Sequence, residues 1–210
     1  MRLKTSTLWL ILALAAAGCA TAIPAADPGF EAAIAQDSEF RRQQLARAGA
    51  APIEEFAEHG LQVRRLLLRG FVPGQLPVME LHRASYGLVS LTLIHPGGRQ
   101  ESLPVPESAW EEMAALDDGV FERPAPLPPT SAPPHQTNCH GMSAYFEAAD
   151  PGRVRSAGAM ECPRAVTPFN PARRAAVEAF VRITLAARRC TRNGGEAVEW
   201  ALSRCFSGSR

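Results

Sequence analysis

Residues 78–95 read VMELHRASYGLVSLTLIH, and residues 96–105 read PGGRQESLPV. Val89, Leu91 and Leu93 alternate with Ser90 and Thr92, the period of a half-buried strand. Pro96-Gly97-Gly98 is a turn signal, and Arg99 to Val105 returns. A register in which paired residue numbers sum to about 194 sets Leu91 against Leu103 and Val89 against Val105, which makes one apolar face. Pro104 has no N–H for a ladder, so the return strand belongs at a sheet edge. Pro106 suits a first helical turn, and Trp110, Met113 and Leu116 fall near one face of a helix beginning at Glu107. This is a strand–turn–strand–helix unit. Just upstream, Leu61 to Leu68 (LQVRRLLL) is ambiguous between strand and helix. The bracketing glycines, Gly60 and Gly70, favour strand.

Downstream, residues 124–134 (PAPLPPTSAPP) contain six prolines. That composition excludes a helix or central strand and predicts an extended linker. The element order then repeats. Thr137 to Ala148 and Arg153 to Met160 flank the turn Asp150-Pro151-Gly152, and Pro171 to Arg189 is a helix with Asn170 as its N-cap. Its apolar stripe is Ala172, Ala176, Ala179, Phe180, Ile183 and Ala187. Arg173, Arg174, Arg182 and Arg188 are expected to face water or a partner. Two successive β-β-α units predict an α+β fold, an antiparallel sheet with helices on one face, plus an N-terminal helix. That helix is Phe30 to Ala48, with Phe30, Ala33, Ile34, Leu45 and Ala48 near one stripe, stopped by Gly49. A short helix over Ile53 to Glu58 follows.

The first residues have the three-part layout of a secretory signal peptide: Met1-Arg2-Leu3-Lys4, then the apolar run Leu8 to Ala17, then Ala17-Gly18-Cys19-Ala20-Thr21-Ala22. The run is too short to span a bilayer, which takes about 20 residues. Two processing routes fit. Ala16-Ala17-Gly18-Cys19 is similar to a lipobox, with Ala16 where Leu is usual, and makes Cys19 the lipidated first residue of a lipoprotein. Cleavage after Ala22 would instead release a soluble form. The lipobox is the favoured route, and Ala20 after the cysteine then implies sorting to the outer membrane. The organisation read from sequence is a signal peptide over 1–18, a tether over 19–28, a first unit over 29–123, the linker over 124–134 and a second unit over 135–210.

The chain has 210 residues and a formal charge of +1. Removing residues 1–18 leaves 20 Arg, no Lys, 21 acidic residues and a charge of −1. This balance argues against a nucleic-acid partner. Four cysteines remain besides Cys19, an even number that reads as disulfides in an oxidising compartment. If the second hairpin pairs residues summing to about 301 or 302, Cys139 faces Cys162, within the ~5.5 Å reach of a bridge. Cys190 and Cys205 then pair by elimination. That second bridge requires residues 191–195 to overshoot before the chain returns, or the last helical turn to unwind.

No phosphate loop, zincin motif or nucleophile elbow is present, so no catalytic residue, metal ligand set or cofactor is assigned. Glu111-Glu112 and Asp117-Asp118 are adjacent pairs that diverge on a helix, suited to a solvated face and helix end. The best candidate binding surface is Asn138, His140 and Gly141 around Cys139, after the linker and beside a predicted bridge.

The run Leu81-His82-Arg83-Ala84-Ser85-Tyr86-Gly87-Leu88-Val89-Ser90-Leu91-Thr92-Leu93, with its following glycine turn, resembles part of an uncharacterised bacterial envelope domain. That group carries an Arg, a Cys-Phe-Gly-x-Cys-Pro segment, an alternating strand and a glycine turn. Arg83, Gly87, the strand and the turn match, whereas Tyr86 and Val89 stand near the places of the cysteines. The resemblance covers residues 80–190 and lends no activity. The expected function is that of an exported cell-envelope protein in the periplasm, anchored to the membrane by lipid, that binds or scaffolds an envelope protein. The alternative is a periplasmic hydrolase or metal-dependent enzyme using His140 or His82.

Overall fold

A computed structural model describes residues 28–70, 76–123, 141–161 and 169–207. In chain order the elements are α1 (Pro28–Ala48), α2 (Ile53–Glu58), β1 (Gln62–Arg69), β2 (Val78–Arg83), β3 (Val89–Ile94) and β4 (Gln100–Val105). They continue with α3 (Glu107–Ala114), α4 (Asp117–Val120), β5 (Ser143–Asp150), β6 (Arg153–Met160), α5 (Pro171–Ala187) and α6 (Val198–Ser207). The strands form one antiparallel sheet in the order β4-β3-β2-β1-β5-β6, and the fold is α+β.

The β3–β4 hairpin has the register read from its alternation, with Val89 opposite Val105 and Leu91 opposite Leu103. Strand β4, with Pro104, is at the sheet edge. The run 78–95 is not one strand. It folds back at Ala84–Leu88, where Gly87 takes a left-handed φ of 86°. The first unit therefore has four strands before its helix, because β1 and β2 precede the β3–β4 pair. Strand β1 sits between β2 and β5 and is buried on both sides. Its sequence lacks alternation for that reason.

Strand β1 separates two cores. Leu66 and Leu68 join Met79, Leu81, Leu91, Leu93, Ala144 and Phe146 against Trp110, Met113, Val177 and Phe180 of α3 and α5. On the opposite face Leu67, Val78, Ile94 and Tyr145 pack on Leu45 of α1, and Val63 and Ala149 pack on Ile53 and Ala57 of α2. The helices of the two β-β-α units, α3 and α5, share one face with α6 as expected, and the N-terminal α1 and α2 cover the opposite face. With both faces of β1 apolar, each needs a cover.

The second hairpin also departs from expectation. Ser143 pairs with Met160 and Asp150 with Arg153, so paired numbers sum to 303, not 301 or 302. The turn consists of Pro151 and Gly152 alone, with Gly152 at φ 67°, and Asp150 closes the ladder instead of joining the turn. The register argument that set Cys139 against Cys162 no longer holds, and both cysteines lie outside the described residues. Cys190 and Cys205 are bonded, with Cα atoms 5.8 Å apart. The loop between α5 and α6 overshoots as required. Arg189 turns left-handed at φ 56°, Gly195 turns again at 75°, and α6 starts only at Val198.

Candidate functional site

Of the residues singled out in the sequence, Cys19, Asn138, Cys139, His140 and Cys162 lie outside the described residues, as do the signal peptide and the 124–134 linker. Gly141 is described, and its role is steric. A Cβ there would lie 2.1 Å from the Glu161 carbonyl oxygen, while the Glu161 N–H donates to Met142 O at 2.8 Å. Among the described residues no helix is long and apolar enough to cross a membrane, and no three His, Cys, Asp or Glu side chains converge as a metal site.

His82 is the predicted candidate that the fold places in a built environment. On β2, Glu80 and His82 are two apart and project from the same face. Antiparallel register sets Arg65 directly between Glu80 on one side and Glu147 on the other. Three charged groups therefore lie in a row across β2, β1 and β5, with Arg65 and Glu80 each only 2% exposed. Arg65 Nε donates to Glu80 Oε1 at 2.6 Å, Nη1 to Glu147 Oε2 at 2.6 Å, and Nη2 to the Ala51 carbonyl at 2.8 Å. The ring of Phe56 from α2 lies 5.7 Å from the Arg65 guanidinium carbon and meets the His82 ring edge-on at 5.4 Å. His82 Nε2 lies 2.8 Å from Glu80 Oε2.

The two carboxylates differ electrostatically. Burial pushes the Glu80 carboxyl up, but the His82 hydrogen bond and the Arg65 charge outweigh it and hold the group below its ordinary value. Burial pushes Glu147 up as well. There Arg65 opposes but does not prevail, and the charges of Glu54 and Glu80 add to the rise. The neighbouring Tyr145 phenol is pushed up to about 12, first by burial and then by the Glu147 charge.

His82 also lines an open cleft of about 440 Å³ at the β2–β3 end of the sheet, with Leu61, Gln62, Tyr86, Leu88 and Ser90. Leu61 is 43% exposed, Tyr86 78% and Leu88 67%. Among the described residues, six large hydrophobic side chains are exposed, and three of them gather here. Ser90 sits opposite His82 in the β2–β3 ladder, but no hydrogen bond joins the two side chains. A histidine held by a carboxylate through one ring nitrogen is oriented for proton transfer through the other, so the pair is suited to acid–base chemistry at the cleft wall.

A second charged cluster lies on the other face of β1. Arg64 Nε and Nη2 clasp Asp117 at 3.0 and 2.7 Å, and Nη2 reaches Asp150 at 3.0 Å. Arg155 Nη2 joins the same two carboxylates at 2.7 and 3.0 Å. Trp110 and Phe121 each stack on one of these guanidinium groups, with 4.7 Å from ring centroid to carbon. Asp117 is therefore a buried anchor, not a solvated helix end. Arg173 likewise turns inward, donating to the carbonyls of Val120 at 2.9 Å and Glu122 at 2.7 Å, and is buried instead of facing water. Both were missed because their partners lie 51 to 53 positions away. The signal within reach was the tandem Arg64-Arg65, since adjacent strand residues must point to opposite faces. Compared with protein-family models, the chain matches none, and it matches no curated protein.

Proposed function

We propose that this chain is an exported cell-envelope protein, held at the outer membrane through lipid on Cys19, that binds a protein partner through the cleft beside His82. The observation that carries the binding role is the gathering of Leu61, Tyr86 and Leu88 around one open concavity on the sheet. Exposed apolar side chains grouped this way are characteristic of contact surfaces, whereas single scattered ones are ordinary. The Cys190–Cys205 bond supports the compartment, because such bonds persist where thiols oxidise. The resemblance of residues 80–190 to an envelope domain points the same way. Two measurements test the reading. Mass spectrometry of the mature N-terminus should find diacylglycerol on Cys19, and a free Ile23 ends the lipoprotein assignment. A photo-cross-linking residue at position 86 should capture one envelope protein in the native membrane, while the same probe at exposed Trp200 should not. Equal capture at both positions removes the cleft from the account.

A second reading is supported by one observation, the 2.8 Å contact between His82 and the buried carboxylate of Glu80. In that reading the protein is a periplasmic hydrolase in which Glu80 orients His82 as general base at the cleft wall. Labelling of Ser90 by a fluorophosphonate probe, lost in His82→Gln, supports it. Absence of labelling in the folded chain rejects the serine-based form. His140, the other histidine considered for such chemistry, lies outside the described residues.

A further inference from the structure

The row Glu80–Arg65–Glu147 carries two carboxylates and one guanidinium, all buried beneath α2. Between its own members the row holds two carboxylates against a single guanidinium, in a site withdrawn from water. A buried uncompensated charge is costly and is relieved by taking up a proton. The two carboxylates are not equivalent places for that proton. Both oxygens of Glu80 are engaged, Oε1 by Arg65 and Oε2 by His82. Glu147 receives Arg65 on one oxygen, and the Tyr145 phenol, Glu54 of α2 and Ser156, its partner in the β5–β6 ladder, are further polar neighbours.

We propose that Glu147 is a buried proton-binding site whose occupancy controls how firmly α2 is seated on the sheet. The coupling runs through three contacts. Arg65 holds the Ala51 carbonyl just ahead of α2, and Phe56 of α2 lies against both Arg65 and His82. Glu54, in the first turn of α2, acts electrostatically on Glu147 from across the interface. With a proton on Glu147, Arg65 and Glu80 form a neutral pair and the repulsion toward Glu54 disappears. Without it, Glu147 and Glu54 repel across the α2 interface while Arg65 is shared between two anions. The charged and titratable groups acting on Glu147 are Arg65 from β1, Glu80 from β2, Tyr145 from β5 itself and Glu54 from α2, with His82 one step further away on Glu80. Arg41 of α1 acts at one remove, through Tyr145. Because α2 runs directly into Leu61 at the cleft rim, with the Leu61 N–H donating to Phe56 O at 2.8 Å, the same proton would set the shape of that rim.

The test is amide exchange at His59, Gly60 and Leu61, whose N–H groups close the end of α2. It is followed in the intact chain over a pH series, corrected for the intrinsic pH dependence of exchange. In parallel the Glu147 side-chain carboxyl is titrated by carbon NMR. The carboxyl should ionise above its ordinary value, and protection of the three amides should fall about tenfold across that ionisation. Glu147→Gln should abolish the dependence and stay protected throughout. Glu54→Gln, at a solvent-exposed position in the first turn of α2, should keep the fold and shrink the change. The proposal is overturned by ionisation at or below the ordinary value, by protection that does not follow it, or by an undiminished change in both variants.

Discussion

Arg64 and Arg65 are neighbours in sequence and opposites in circumstance. Arg64 belongs to a cluster with two arginines and two aspartates, whose formal charges cancel. Arg65 stands alone between two glutamates, whose charges it can only half balance. The first arrangement ties α4 and the β5–β6 hairpin to β1 and requires no proton. The second contains a group that gains by taking one. Buried charge can thus serve as a fixed lock or as a titratable one, and the count of cations against anions decides which.

Four experiments test this contrast. The largest effect is expected from Arg64→Leu, which deprives Asp117 and Asp150 of a buried partner. It should cost about 3–5 kcal/mol in denaturant unfolding. A loss below 1 kcal/mol would mean the Arg64 cluster is no lock. Asp117→Asn should cost less, about 1.5–3 kcal/mol, because Asp150 still serves both arginines. Glu147→Gln should have the opposite sign at neutral pH, stabilising by about 1 kcal/mol, with the gain vanishing toward pH 4. The sign follows from the raised Glu147 value. Its stability contribution is fully present below the unfolded value and is lost as pH rises through the folded one. Glu80 acts oppositely, since its lowered value gives stability that is lost as pH falls through the folded value. Between them these two groups favour a stability maximum on the acid side of neutrality, readable as melting temperature against pH. The smallest effect, about 0.5–1 kcal/mol, is expected from His82→Ala, which removes one of two donors to Glu80. It should move the acid limb of that melting profile upward in pH, and an unmoved limb would show that Arg65 alone holds Glu80 ionised.

Much of the fold was legible where local rules operate. The β3–β4 register followed from alternation and a glycine turn, and the N-cap of α5 from Asn170, whose side chain accepts the Arg173 N–H at 2.7 Å. Legibility failed where one residue changes the outcome. Counting Asp150 into the turn instead of the ladder shifted the second hairpin's register and undid the argument for facing Cys139 with Cys162. The run 78–95 read as one β-rich stretch because a compact turn at Ala84–Leu88 leaves the β-rich composition almost unbroken. The candidate site was half visible. The placement of Glu80 and His82 on one face is a period-of-two statement, but the partners Arg65 and Glu147 are not implied by any spacing.

The sequence alone was enough for the turn at 96–98, the starts of α2, α3 and α5, the edge placement of Pro104 and the presence of enough apolar surface for a two-sided sheet. These depend on a residue and its near neighbours, through backbone dihedrals, missing donors and side-chain period. Which carboxylates meet Arg64 and which meet Arg65, across separations of 15 to 86 positions, was settled by long-range folding. The reason is that a buried charge answers to whatever the sheet order brings within about 3 Å, and sheet order is a property of the whole chain.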